Sequence, residues 1–304
     1  MTLPEVYLVG APKAGTTSLS QWMASHPDLY FSKPKEPVFW ASDYPKLREA
    51  RGFSTRDDYE ALFASPEAQQ ATRRAEGSTI YLYSKDAVPS IVREMPQARF
   101  IVAVRNPADL VVSFHRTQQL LLNEDQPDFT LAWRRSLEGR LPSADLLDPK
   151  LVDYPRIGRL GQAVSDLLDV APRESVHFVR FETLAGDPGR VWHSLTNFLG
   201  LSEDPIPDWA IHNPSTRTYR SNTMHRLIYR PPRLLANPMR RLRHTSLRSS
   251  NPVIRRIKHS LWWREQAKPR VPESTKAELR AYFADDVRLL GELLKTDLSS
   301  WTKG

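Results

Sequence analysis

The chain has 304 residues, 40% of them hydrophobic, which is enough for one large α/β domain, and no long flexible linker divides it. A formal net charge of +8 favours an anionic partner, a class that spans nucleotides, acidic glycans, membrane surfaces and nucleic acids. There is no cysteine, so disulfide frameworks, thiolate metal sites and cysteine nucleophiles are excluded, while the redox compartment stays open.

The opening segment, MTLPEVYLV, has no basic n-region, long apolar stretch or cleavage signature of a secretory signal. No run of about 18 apolar residues could span a bilayer. A cytoplasmic protein is therefore expected, and the excess of arginine over lysine in the tail points to a bacterial source. In chain order, Val6 to Val9 reads as a buried strand, and Ser18 to Ala24 as the helix after it. Ile80 to Tyr83 and Arg99 to Val104 read as further strands, followed by helices over Ala108 to Leu122 and Ile157 to Leu168. Val176 to Phe181 completes the strands, and DPGRVWHSLTNFLG forms a helix that Gly200 stops.

From Arg217 to Arg270 the character changes to fifteen Lys or Arg against one acid, Glu265, with several prolines and the pair Trp262 and Trp263. A last helix, Glu273 to Leu294, carries apolar residues at helical spacing and packs back on the domain. The expected organisation is a single domain over 1–304, with a basic lid or acceptor segment at about 217–270 and a packing helix at about 273–295. Strands alternating with helices predict an α/β fold, a P-loop-like three-layer sandwich whose central parallel sheet is flanked by helices. Ligands in such folds bind beyond the carboxyl ends of the strands.

The first strand runs into Gly10, Ala11, Pro12, Lys13, Ala14, Gly15, Thr16 and Thr17. A Walker loop places its lysine directly after the second glycine, and here the lysine stands inside the loop. The strand before and the helix after supply free backbone N–H groups and a positive dipole end, so the loop suits a phosphate. Lys13 would reach the terminal group or its leaving oxygen, and Thr16 and Thr17 offer hydroxyls. P-loop kinases hold magnesium with an acid at the end of a second strand, but the strand RFIVAV ends in Arg105. Arg105 and Ser113, two turns into the next helix, can converge on a second phosphate, and Pro107 suits the first turn of that helix. On the residues alone, Arg105 serves as well as a structural ion-pair partner.

These two motifs resemble those of the sulfotransferases that use 3′-phosphoadenosine 5′-phosphosulfate (PAPS). The likeness extends to HPDLYFSKPKEPVFW (His26 to Trp40), GSTIYLYS (Gly77 to Ser84), VHFVRFETLAGDP (Val176 to Pro188), NFLGL and the closing DLSSW. It is weakest from about Asn123 to Tyr154 and from Thr218 to Pro269. The resemblance implies PAPS as donor, 3′,5′-adenosine bisphosphate (PAP) as product and no metal. Ala11, Pro12, Lys13, Ala14, Gly15, Thr16 and Thr17 would grip the 5′-phosphosulfate, and Arg105 and Ser113 the 3′-phosphate.

Sulfuryl transfer is in line between two oxygens, so positioning and stabilisation of the leaving phosphate outweigh covalent catalysis. Lys13 then acts as the cation at the bridging oxygen. A hydroxyl or amine acceptor must lose a proton, and Glu36 in KPKEPVFW resembles the glutamate base of the K-E-x-x-F element in glycan sulfotransferases. Lys33 and Lys35 stand beside it. His115 is an alternative base, whereas His26 is expected to end the first helix. Phe181 and Glu182 follow the family's YED strand end with phenylalanine for tyrosine, and Ser18 stands where some members carry the adenine-stacking tryptophan. Tyr219 is a candidate to stack on the adenine instead, and Arg217 and Arg220 are candidates for the basic strip that in the family folds over the nucleotide. The rest of that strip could meet an anionic acceptor or a membrane surface. Two other classes are weighed: a P-loop kinase or NTPase, and a non-catalytic binder of acidic polymers; nucleic acid is not expected as a partner.

Overall fold

A computed structural model describes residues 3–209 and 270–303, with the backbone of two short strands at 217–219 and 263–265. Five parallel strands form the central sheet: β1 (Val6–Gly10), β2 (Leu29–Phe31), β3 (Arg73–Glu76), β4 (Arg99–Val104) and β5 (Val176–Arg180). Their order is β2-β3-β1-β4-β5. The chain leaves β1 toward one side and returns to its other side at β4, so the crevice between the carboxyl ends of β1 and β4 is a topological switch point. Tyr7, Leu8 and Val9 on β1 and Phe100, Ile101 and Val102 on β4 are fully buried, as expected when helices cover both faces of a parallel sheet.

The sequence misplaces some elements. Ile80 to Tyr83 is not a strand: Thr79–Tyr83 forms a 3-10 turn, fully packed against the sheet. The strand of that region is β3, whose sequence RRAE hides it, because Arg74 pairs with Glu5 and Arg73 donates to the Leu199 carbonyl. Ile157 to Leu168 is interrupted, giving helices Tyr154–Gly158 and Leu160–Leu168, the second capped from a distance by the Asp286 carboxylate, which accepts from Gly161 N (2.8 Å) and Gln162 N (3.0 Å). The last helix divides at buried Phe283 into Glu273–Tyr282 and Ala284–Leu294. Phe181 opens a helix rather than ending β5. Helices Thr16–Ser25, Pro107–Leu120 and Pro188–Leu199 stand where the sequence puts them, the last ending at left-handed Gly200.

Among the described residues no helix is long and apolar enough to cross a membrane. The basic tract is described only at Arg217–Tyr219 and Trp263–Glu265, which pair as antiparallel strands. The expected lid and Arg220 otherwise lie outside the described residues.

Candidate functional site

The loop after β1 turns into helix Thr16–Ser25 through Gly15, whose φ of 87° is left-handed. A Cβ there would lie 2.3 Å from Leu184 Cδ2, so glycine is required by both conformation and space. The helix N-terminus has no side-chain cap and no acid in its first turn. Its amides and dipole are thus left for an outside anion. Ala11, Pro12 and Ala14 are buried in the loop, Thr16 is buried, and Thr17 is half-exposed.

Arg105 follows β4 and binds the loop directly: its Nη1 donates to the Lys13 carbonyl at 3.0 Å. The guanidinium lies 4.3 Å over the ring of Phe181, a cation–π contact that makes use of the phenylalanine. Its Nε is buried without a hydrogen-bond partner, the situation expected of a donor that awaits an anion. Burial, then Arg105 and Arg116, pulls the Lys13 ammonium below its ordinary value. This concentration of positive charge at the β1–β4 crevice calls for a negatively charged ligand. Ser113 is buried on helix Pro107–Leu120, two turns beyond Arg105.

The loop from Ser32 to Ala41 carries Glu36, the expected base. Lys35 Nζ donates to Thr16 Oγ1 at 3.1 Å, tying this loop to the phosphate loop. Glu36 receives Thr79 Oγ1 on Oε1 and Arg51 Nη2 on Oε2, each at 3.1 Å, with Lys35 Nζ 3.8 Å from Oε1. Burial pushes this carboxyl up, but Lys35, Arg51, Thr79 and Lys13 outweigh it and hold it below the usual carboxylate range. Glu36 is therefore ionised at neutral pH and able to take a proton.

His115 does not join the site. It is 1% exposed, its Nε2 bonds the Gln126 carbonyl at 2.9 Å, and it packs between Phe129 and Tyr154. It is a core histidine. His26 caps the first helix as expected. Arg51 and Thr79 are contacts that no sequence motif flags: Arg51 ends a helix fifteen residues beyond Glu36, and Thr79 lies in GSTIYLYS, 43 residues beyond it. The side chains of Arg217 and Tyr219 lie outside what is described. Among the described residues, no group of three or more His, Asp or Glu could hold a metal ion.

The fold and this crevice define an α/β protein with a P-loop-like turn and a cluster of positive charge at its topological switch point. The family model "Sulfotransferase family" matches residues 4–205, and the chain belongs to that family. It is similar to a heparan sulfate glucosamine 3-O-sulfotransferase 3A1 of Mus musculus, with 28% identity over 199 residues, 66% of this chain and 46% of the relative. It is also similar to a bifunctional heparan sulfate N-deacetylase/N-sulfotransferase 1 of Caenorhabditis elegans, 24% identical over 217 residues, covering 70% of this chain and 24% of that protein. The chain thus spans half or less of the length of these curated relatives. The crystal structure of a sulfotransferase from Alicyclobacillus acidocaldarius shares the fold, with a TM-score of 0.67, 22% identity and 99% coverage of both chains.

Proposed function

We propose that this chain moves a sulfuryl group from PAPS to a hydroxyl or amine of an acceptor, with a sugar as the acceptor class its relatives' names suggest. The observation that carries the reading is the junction of the two loops: Lys35 bonds Thr16, and Glu36 stands ionised within the field of Lys13. The donor, when bound, supplies the sulfuryl group and a phosphate leaving group.

The chain's own residues supply the rest. The Gly15–Thr17 amides and Lys13 bind and orient the phosphosulfate, and the Arg105 guanidinium and the Ser113 hydroxyl take the second phosphate. Lys13 holds positive charge where negative charge grows on the leaving oxygen. Glu36 accepts the acceptor's proton at Oε1 or Oε2, and Thr79 and Arg51 keep that carboxylate aimed. Phosphoryl transfer with magnesium fits less well, because Arg105 occupies the strand end where an NTPase carries its acid.

The test is PAP release from PAPS in the presence of heparan-type oligosaccharides. Lys13→Ala should lower kcat about 100- to 1000-fold, as loss of a charge-stabilising donor does. Glu36→Gln should lower kcat about 100-fold or more with PAP affinity kept. Full activity in either variant would remove that residue from the mechanism.

A further inference from the structure

Behind the Glu36 loop lies a carboxyl that the transfer chemistry does not use. Glu76, the last residue of β3, is fully buried beside Tyr7 of β1. Its Oε2 accepts from the Tyr59 hydroxyl at 2.6 Å and the Tyr81 hydroxyl at 3.1 Å. Each hydroxyl also accepts from one residue, Trp40: the indole N–H reaches Tyr59 at 3.0 Å, and the backbone N–H reaches Tyr81 at 3.1 Å. A tyrosine hydroxyl has a single proton, so once Trp40 donates to it, that proton must go to the carboxyl. The direction of every bond is set, and all lead to Glu76.

Trp40 closes the segment that presents Glu36. That segment is held at alternate residues: Glu36 N donates to the Gly77 carbonyl (2.9 Å), Val38 N to Ser78 Oγ (3.0 Å) and Trp40 N to Tyr81. It needs such holding, because Glu36 (φ 61°) and β-branched Val38 (φ 60°) are both left-handed. Non-glycine residues persist there only where the surroundings over-determine the backbone.

We propose that Glu76 is a positioning residue for Glu36: its carboxyl gathers Tyr59 and Tyr81, and through them Trp40, and so fixes the loop that carries the base. The inference rests on Glu36 as proton acceptor. The groups facing Glu76 are Tyr7, Tyr59, Tyr81, Ser78 and, across the loop, Glu36. Burial lifts Glu76 to about 7 against the pull of the Ser78, Tyr59 and Tyr81 hydroxyls, and Glu36 adds to the rise. Glu36 is held low, so the two carboxyls are set apart, Glu76 holding its proton to higher pH than Glu36 does.

The experiment measures hydrogen exchange of the Lys35–Ala41 segment, PAP affinity, and transfer from PAPS to a heparan-type oligosaccharide in one set of variants. The double variant Tyr59→Phe, Tyr81→Phe removes both links and should speed exchange of the Glu36, Val38 and Trp40 amides about tenfold or more. It should lower kcat about tenfold or more, as a displaced catalytic group does, with the PAP Kd within about twofold. Glu76→Gln keeps a carbonyl for both hydroxyls and should restore near wild-type exchange and kcat. Wild-type exchange in the double variant would overturn the proposal, as would loss of PAP binding in step with kcat. Full activity of Glu36→Gln would instead remove the base assignment, leaving the exchange result to judge the hold on the loop.

Discussion

Replacing Glu76 by glutamine should change the pH dependence of stability in a direction that burial dictates. In the folded protein the Glu76 carboxyl rises from its ordinary 4.5 to about 7. The folded state therefore binds this proton more tightly than the unfolded chain does. Below pH 4.5 the group is protonated in both states and has no effect. As pH rises from there, the unfolded chain gives up the proton first and is favoured, and above about 7 the full penalty is present. A gap of about 2.5 pH units corresponds to about 3 kcal/mol, taken whole because the side chain is fully buried. Glutamine has no proton to lose and still accepts from both tyrosines. Urea unfolding of both proteins at pH 5, 6, 7 and 8 should show Glu76→Gln gaining on the wild type by up to about 3 kcal/mol toward pH 8. A stability difference that stays constant across this range, or shrinks as pH rises, would refute the reasoning.

Two further perturbations address the proposed active site. Arg51→Ala removes a cation that lowers the Glu36 carboxyl, so the acid limb of the kcat/KM profile should move to higher pH, and Arg51→Lys should move it less. An unmoved limb would mean that Glu36 does not set it. Gly15→Ala forces a side chain onto a left-handed residue and against Leu184, a strain of about 1–3 kcal/mol, and should weaken PAP binding at least about tenfold in calorimetry.

Much of the site is legible in the sequence because its parts are local. The phosphate loop needs a strand, a glycine at a left-handed turn and a helix N-terminus within a dozen residues, and all three show in the string from Tyr7 to Trp22. Arg105 is legible for the same reason, as the residue that ends an apolar strand. What escapes is what the fold brings together from afar. Arg51 and Thr79 meet Glu36 only because the Ser32–Ala41 loop lies over the end of β3. The strand β3 itself reads as a charged run, since its arginines are satisfied by Glu5 and Leu199, and the apolar run after it imitates a strand. A short apolar run buried on all sides carries no period that separates a strand from a tight helical turn. Asp286, which caps a helix more than a hundred residues earlier, could not be inferred from either segment alone.

The measurement that bears most directly on the donor site is calorimetric titration with PAP, run beside ATP with magnesium, on the wild type and Arg105→Ala. Micromolar or tighter binding of PAP, weakened at least about tenfold by Arg105→Ala, is the expected result, since a charge-assisted contact to phosphate is lost. Binding of ATP with magnesium and indifference to PAP would contradict the sulfuryl-donor site and point to a kinase with a displaced lysine.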